Sequence, residues 1–116
     1  MMSRDAIEVL KGTLDMLVLK ILEDEPQHGY GITRRLQLLT DDALQVDEGS
    51  MYPALYRLHK RGLVEAEWFL TDGNRRAKIY SLTPAGRTQL CKEAAYWHRF
   101  SEAVGKVISP VPDAAP

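Results

Sequence analysis

The chain has 116 residues, of which 45% are hydrophobic and 27% are charged, and its formal net charge is −1. This length supports one domain with a modest core, and no apolar run approaches the roughly 20 residues that a membrane-spanning helix needs. The single cysteine excludes an internal disulfide, and the chain begins without the apolar core of a signal peptide, so we expect a cytoplasmic protein.

Charge is distributed unevenly along the chain. Residues 1–49 carry ten acidic and five basic residues, for a net charge of −5. Residues 50–87 carry three acidic and seven basic residues, for a net charge of +4, and residues 88–116 are balanced. A concentration of cations in one segment favours a polyanion as partner, whereas chance clustering on a solvated face is the alternative.

The first strong element is a helix over residues 13–25. Its apolar side chains recur at helical spacing, Thr13 is the expected N-cap, and Pro26 ends the helix. Residues 1–12 are mixed in character and predict a short helix or an arm before it.

A turn at residues 27–31 leads into a second helix over about residues 29–40, and His28 is expected to pack or cap there. Leu44 and Val46 are separated by Gln45 and alternate as in a brief strand. The inward stripe of the second helix is expected to be Ile32, Leu36 and Leu39.

Residues 50–61 form the most informative element, a short amphipathic helix with two chemically different faces. Ser50 is the expected N-cap, Pro53 is tolerated in the first turn, and Gly62 ends the helix as a left-handed C-cap. A helix that exposes phenolic and cationic side chains together is typical of contact with a polyanion. Its apolar face is Met51, Leu55 and Leu58, and its exposed face is Pro53, Tyr56, Arg57 and Lys60.

Two strands and a long helix complete the chain. Residues 63–82 alternate as a hairpin with its turn at residues 71–74, where Asp72-Gly73 is a strong hairpin signal. Thr83 and Pro84 then begin a final helix that runs to about Ile108. Prolines follow that helix, so we expect residues 109–116 to be a disordered tail.

This order of elements predicts a mainly α protein with a small β-hairpin, in the α+β class. The best match is a winged helix-turn-helix over residues 1–82, in which the third helix enters the DNA major groove and the hairpin is the wing. A C-terminal dimerisation helix over residues 83–108 follows it.

The third helix and the wing are the expected DNA interface, because cations displace counterions from phosphates and arginine can read guanine through two hydrogen bonds. Arg57, projecting outward from the middle of the helix, is the expected base reader. Arg75 and Arg76 suit phosphate or minor-groove contact. A solvated basic helix beside an ordinary charged hairpin is the alternative. The contacts expected from the residues alone are Tyr52, Pro53, Tyr56, Arg57, Lys60, Asn74, Arg75, Arg76 and Lys78.

The final helix carries a heptad-like seam that needs a partner. We expect a second copy of the chain to bury it, which gives a twofold dimer that matches a palindromic operator. Packing onto the helix's own domain is the alternative. The seam is Leu90, Ala94, Trp97, Ser101, Val104 and Ile108.

Trp97 and Cys91 have simple structural interpretations. The residues favour Trp97 as part of the seam, while the other reading makes it the wall of a cavity that stacks on a planar effector. Cys91 is expected to be a small buried residue. His28, His59 and His98 lack metal-ligand spacing, and no nucleophile–base pattern is present, so we expect no enzyme, no metal and no cofactor.

Six short motifs occur in order along residues 10–90, and with them the chain resembles the PadR family of bacterial transcription regulators, in the subgroup with a single C-terminal helix. They are LKGTLDMLVL at 10–19, Pro26 with HGY at 28–30, EGSMYPALYRL at 48–58, GLV at 62–64, RRAKIY at 75–80 and LTPAG at 82–86.

The resemblance implies a homodimeric winged-helix repressor that dimerises through its C-terminal helices. It also implies that Tyr30 approaches the phosphate backbone and that the protein can respond to a small aromatic effector, for which Trp97 is the candidate binding residue. The residues that the resemblance places at recognition-helix contact positions are Ser50, Tyr52, Tyr56 and Arg57.

The alternative function is a winged-helix protein-interaction module without DNA binding, which the acidic first half favours.

Overall fold

The computed structural model describes the backbone of residues 4–109 and the side chains of residues 13–109. It confirms the predicted fold class, because the described chain is mainly helical with one small antiparallel sheet. The expected disordered tail lies, from residue 110 onward, outside the described residues. The elements are α1 (Arg4–Asp24), β1 (Gln27–His28), α2 (Gly29–Leu39), α3 (Glu48–Lys60), β2 (Val64–Leu70), β3 (Arg76–Leu82) and α4 (Pro84–Ile108).

Helix α1 begins at Arg4, nine residues before the predicted start. Thr13 therefore lies inside the helix and is not its N-cap. The segment before Thr13 contains no proline, and Gly12 alone costs a helix only about 1 kcal/mol. No helix among residues 4–109 is long and apolar enough to cross a membrane.

The sheet has the strand order β1-β3-β2. The hairpin register runs from Val64 opposite Leu82 to Leu70 opposite Arg76. The third strand is β1, whose Gln27 lies opposite Tyr80, although the sequence predicts a turn there. Two residues are too few to show an alternating pattern, and this strand exists only because β3 is available to pair with it.

The predicted strand at Leu44 and Val46 is wrong, because both residues lie in the irregular connection between α2 and α3. Their alternation reflects burial alone: Val46 enters the core and Leu44 packs against it. Leu39 is also wrong as a member of the inward stripe, since its side chain is 59% exposed. Helix α2 ends there, and the chain leaves it through Asp41 and Asp42, which have positive φ angles of 50° and 68°.

The core lies where α1 is packed between the other helices and the sheet. Helix α1 contacts α2, α3, α4 and β3, which explains why its buried face is wide. Its buried side chains are Leu14, Met16, Val18, Leu19, Ile21 and Leu22. The other elements contribute Ile32, Leu36, Val46, Met51, Ala54, Leu55, Leu58, Leu63, Val64, Tyr80 and Leu90.

Candidate nucleic-acid interface

Helix α3 begins two residues before its predicted start. Asp47 is its N-cap, and the Asp47 Oδ1 atom accepts a hydrogen bond from the Ser50 amide at 3.0 Å. Ser50 is therefore not the cap, and Pro53 lies inside the helix and not in its first turn. A proline ring inside a helix clashes with the carbonyl four residues earlier, and that residue here is Gly49, which has no side chain to add to the crowding.

The C-terminus of α3 is closed as the sequence predicts. Gly62 has a φ of +75°, which glycine adopts at no steric cost because it lacks a Cβ atom. Its amide donates to the His59 carbonyl, and the Leu63 amide donates to the Leu58 carbonyl, each at 3.0 Å. These two bonds form a Schellman motif, which turns the chain directly from α3 into the wing.

The two faces of α3 are separated as predicted, with one exception. Met51, Leu55 and Leu58 are fully buried. On the other face, the Tyr56 side chain is 66% exposed, and the Lys60 Nζ atom lies 6.0 Å from its ring centroid. Also exposed on this helix are Glu48, Gly49, Tyr52, Pro53, His59 and Lys60, while Ser50 is half-buried.

Arg57 is the exception. It does not project freely outward: its Nη2 atom lies 2.8 Å from Asp15 Oδ1, and its Nε donates to Asp15 Oδ2 at 3.4 Å. Its side chain is 41% exposed. The expected free base reader is therefore a partly buried member of an ion pair with α1.

The wing turn falls at the predicted residues 71–74, and Arg75 follows it before β3 begins. The strands pair as far as Leu70 and Arg76, and the positive φ, 59°, belongs to Asn74. Hydrogen bonds from the Thr71 amide to the Arg75 carbonyl and from the Asn74 amide to the Thr71 carbonyl, both 2.8 Å, close this turn. Asn74 therefore lies within this turn and Arg75 closes it, and both are exposed with Arg76.

An open cleft of about 570 Å³ lies between the wing and the first turns of α2 and α3. It brings together four of the predicted contacts, Tyr30, Tyr52, Arg76 and Lys78. The other lining residues are His28, Gly29, Trp68, Ala77 and Tyr80.

Trp68 is the cleft residue that sequence reasoning missed. Its place in the alternation of β2 puts it on the same side as Val64 and Ala66, which suggests burial, but it is 55% exposed. The pattern that could have identified Trp68 as a cleft residue is the register of the hairpin, which places it opposite Lys78. The Arg76 guanidinium lies 4.5 Å from the Trp68 ring centroid and the Lys78 Nζ atom lies 5.6 Å from it, distances typical of cation–π contacts.

The wall of the cleft opposite the wing is held in place by the N-cap of α2 and by close packing of α2 against Tyr52. His28 caps α2 by accepting from the Gly31 amide through Nδ1 at 2.8 Å. A Cβ atom on Gly29 would lie 2.8 Å from the Tyr52 ring, so this glycine permits the close approach of α2 to Tyr52. Burial, and secondarily the neighbouring Tyr52, raises the pKa of the Tyr80 hydroxyl above its ordinary value, which keeps it protonated.

Helix α4 begins as predicted, with the Thr83 hydroxyl accepting from the Gly86 amide at 3.0 Å. Of the predicted seam only Leu90 is buried, while Ala94 and Ser101 are half-buried. Trp97 is 40% exposed and Ile108 is 71% exposed. Cys91 is exposed, which corrects the expectation that it is buried. Exposed apolar side chains on this helix also include Tyr96, Phe100, Val104 and Val107.

Comparison with known proteins agrees with this geometry. The model of the PadR-like family of transcriptional regulators matches residues 18–92, which span α3, the wing and the start of α4. The chain belongs to the PadR-like family. Residues 18–92 include every predicted DNA contact, so these residues lie in the part of the chain that defines PadR-like proteins.

Individual relatives and solved structures match most of the chain. A transcriptional regulator of Mycobacterium tuberculosis is 33% identical over 86 residues, which are 74% of this chain and 77% of that one. A PadR family regulator of known structure from Eggerthella lenta is 34% identical with a TM-score of 0.74, covering 90% of this chain and 88% of that one. The structure of a PadR-like regulator from Bacillus cereus is 29% identical with a TM-score of 0.75, covering 88% and 97%.

Proposed function

We propose that this PadR-like regulator is a cytoplasmic, homodimeric repressor that binds a palindromic operator through α3 and the wing. The main observation in support is that cationic side chains of α3 and the wing have no acidic partners. Lys60, Arg75, Arg76 and Lys78 have no carboxylate within 4 Å among the residues whose side chains are described. Unpaired cations of this kind are available to replace the counterions of DNA phosphates.

The predicted contacts take three positions in this proposal. Tyr30, Tyr52, Arg76 and Lys78 line the cleft, Tyr56 and Lys60 follow along α3, Asn74 lies in the wing turn and Arg75 closes that turn. In this arrangement Tyr30 and the other phenols fix the phosphate register, and the cations supply affinity. Arg57 can contact a base only if its guanidinium first leaves the Asp15 carboxylate.

The uncovered seam of α4 supports the homodimer. From Trp97 to Ile108 its apolar side chains have no partner within the described chain that buries them. A second copy supplies an identical seam and places two α3 helices about a twofold axis. Trp97 lies within this seam, where a small aromatic effector could stack on it and release the operator.

A DNA-binding measurement on paired variants tests the proposal. Fluorescence anisotropy would follow binding to the DNA upstream of the gene and to a scrambled duplex, at several salt concentrations. We expect Lys60→Ala with Arg75→Ala to weaken binding more than about tenfold and to reduce the salt slope by about two. Lys92→Ala with Arg99→Ala, which removes two exposed cations from α4, is the matched control and should bind as the wild type does.

A protein-interaction module without DNA binding is the second candidate, and the acidic first half of the chain favours it. It predicts that the wild type binds neither duplex at physiological salt. Unchanged, salt-insensitive binding by the Lys60 and Arg75 variant would instead contradict the proposed contacts.

A further inference from the structure

The cleft between the wing and helices α2 and α3 combines features of a small-molecule site. Its volume of about 570 Å³ falls within the usual range for ligand pockets. Four aromatic rings line it, from Tyr30, Tyr52, Trp68 and Tyr80. Two cations, Arg76 and Lys78, lie at the same cleft, so one ligand can meet planar carbon surfaces and positive charge together.

Arg76 and Lys78 are positioned to bind an anion. Both contact the Trp68 ring, and neither has an acidic partner among the residues with described side chains. An arginine held over an aromatic ring keeps its hydrogen-bond donors available, and less freedom is lost when it binds. Two neighbouring positive charges suit a phosphate dianion better than a singly charged carboxylate.

The rings favour a planar group attached to that phosphate. Tyr30, Tyr52 and Trp68 are between 45% and 57% exposed, so their rings are open to a ligand in the cleft. Nucleobases stack on such rings with little dependence on base identity. A free phosphate would occupy only a small part of the cleft and would leave the rings unused.

We propose that this cleft binds a free nucleoside monophosphate, with the phosphate at Arg76 and Lys78 and the base against the exposed rings. Because four predicted DNA contacts line the same cleft, the bound nucleotide competes with the operator. The competition rests on the proposed function, whereas binding of the nucleotide itself does not.

Nuclear magnetic resonance of the two indole N–H groups tests the site directly. Trp68→Phe and Trp97→Phe assign the two signals, and AMP is the probe, added to full-length protein without DNA. We expect a saturable shift of the Trp68 signal while the Trp97 signal stays in place. Adenosine and ribose 5-phosphate, which lack the phosphate and the base respectively, should each bind at least about tenfold more weakly.

A pair of arginine variants provides the control. Arg76→Gln should weaken AMP binding about tenfold, because it removes one of two charged donors, and Arg99→Gln on α4 should leave it unchanged. An unchanged Trp97 signal and unfolding temperature show that Arg76→Gln is folded. Absence of a saturable Trp68 shift, a shift of Trp97 alone, or equal affinity for inorganic phosphate and AMP would overturn the proposal.

The competition is measured separately by adding AMP to the protein–DNA complex. Displacement of the duplex is expected at the AMP concentrations that saturate the Trp68 shift. If the Trp68 signal responds to AMP but no duplex binds, the proposed function fails and the nucleotide site stands. If the duplex binds and AMP has no effect on Trp68, the nucleotide site fails alone.

Discussion

Arg57 on α3 and Asp15 on α1 form a two-point ion pair between residues 42 positions apart in the chain. Paired N–H donors on one guanidinium and two oxygens on one carboxylate fix direction as well as distance. This contact therefore adds a directional link between α3 and α1 to the packing of the buried face of α3.

Removing this pair is expected to lower stability through a measurable coupling. Arg57→Ala and Asp15→Asn should each reduce the free energy of unfolding, and the double variant should be less destabilised than their sum by about 1 kcal/mol. Chemical denaturation of the four proteins measures this coupling. The matched control is the exposed pair Lys20 and Glu23, 2.8 Å apart within one helix, for which a coupling below about 0.5 kcal/mol is expected. Strict additivity at Arg57 and Asp15 would contradict the structural role.

Gly86 is expected to be intolerant of any side chain. An added Cβ atom would overlap the Leu63 carbonyl oxygen and lie 2.7 Å from Leu82 Cδ1, because the first turn of α4 packs directly on the start of β2. Gly86→Ala should cost about 1–3 kcal/mol of unfolding free energy. Gly105→Ala, in the same helix with nothing within 4 Å of the added atom, should raise stability by up to about 1 kcal/mol. Thermal unfolding of both variants checks the pair, and equal effects would refute the packing explanation.

The seam of α4 is expected to hold two copies together. Val104→Asp with Ile108→Asp should convert a dimer into a 13.1 kDa monomer, because charges buried at an apolar interface lose their hydration. Sedimentation velocity distinguishes the two species. Arg99→Asp reverses a charge on the opposite side of the helix and should leave the dimer intact. A dimer that survives both seam substitutions would place the interface elsewhere.

Tyr80 is expected to make stability fall at high pH. Burial raises its pKa in the folded state above the ordinary tyrosine value of 10.0, so the unfolded chain loses this proton first. The contribution is fully present below the unfolded pKa and disappears as pH rises through the folded pKa. Tyr80→Phe should flatten the decline of unfolding free energy above about pH 10, as measured by urea denaturation at a series of pH values. Tyr56→Phe, which changes an exposed phenol, should keep the wild-type decline, and an identical decline in Tyr80→Phe would exclude this explanation.

Local signals in the sequence predicted much of the framework. Gly62 and Thr83 mark the end of α3 and the beginning of α4 because each acts through hydrogen bonds within about five residues of the chain. The same kind of signal was misleading at Ser50, where the better-placed Asp47 caps the helix. Near the ends of an element, several residues can satisfy the same free amides, and the sequence alone does not choose between them.

By itself the sequence therefore determined the winged-helix order of elements, the basic character of α3 and the wing, and the apolar seam of α4. These follow from periodicity, capping and charge, which act over a few residues. Only the tertiary structure decided that Arg57 is paired with Asp15, that β1 joins the sheet, and that Trp68 lines a basic cleft. Each of these depends on surfaces that are distant in the chain and meet only when the core packs.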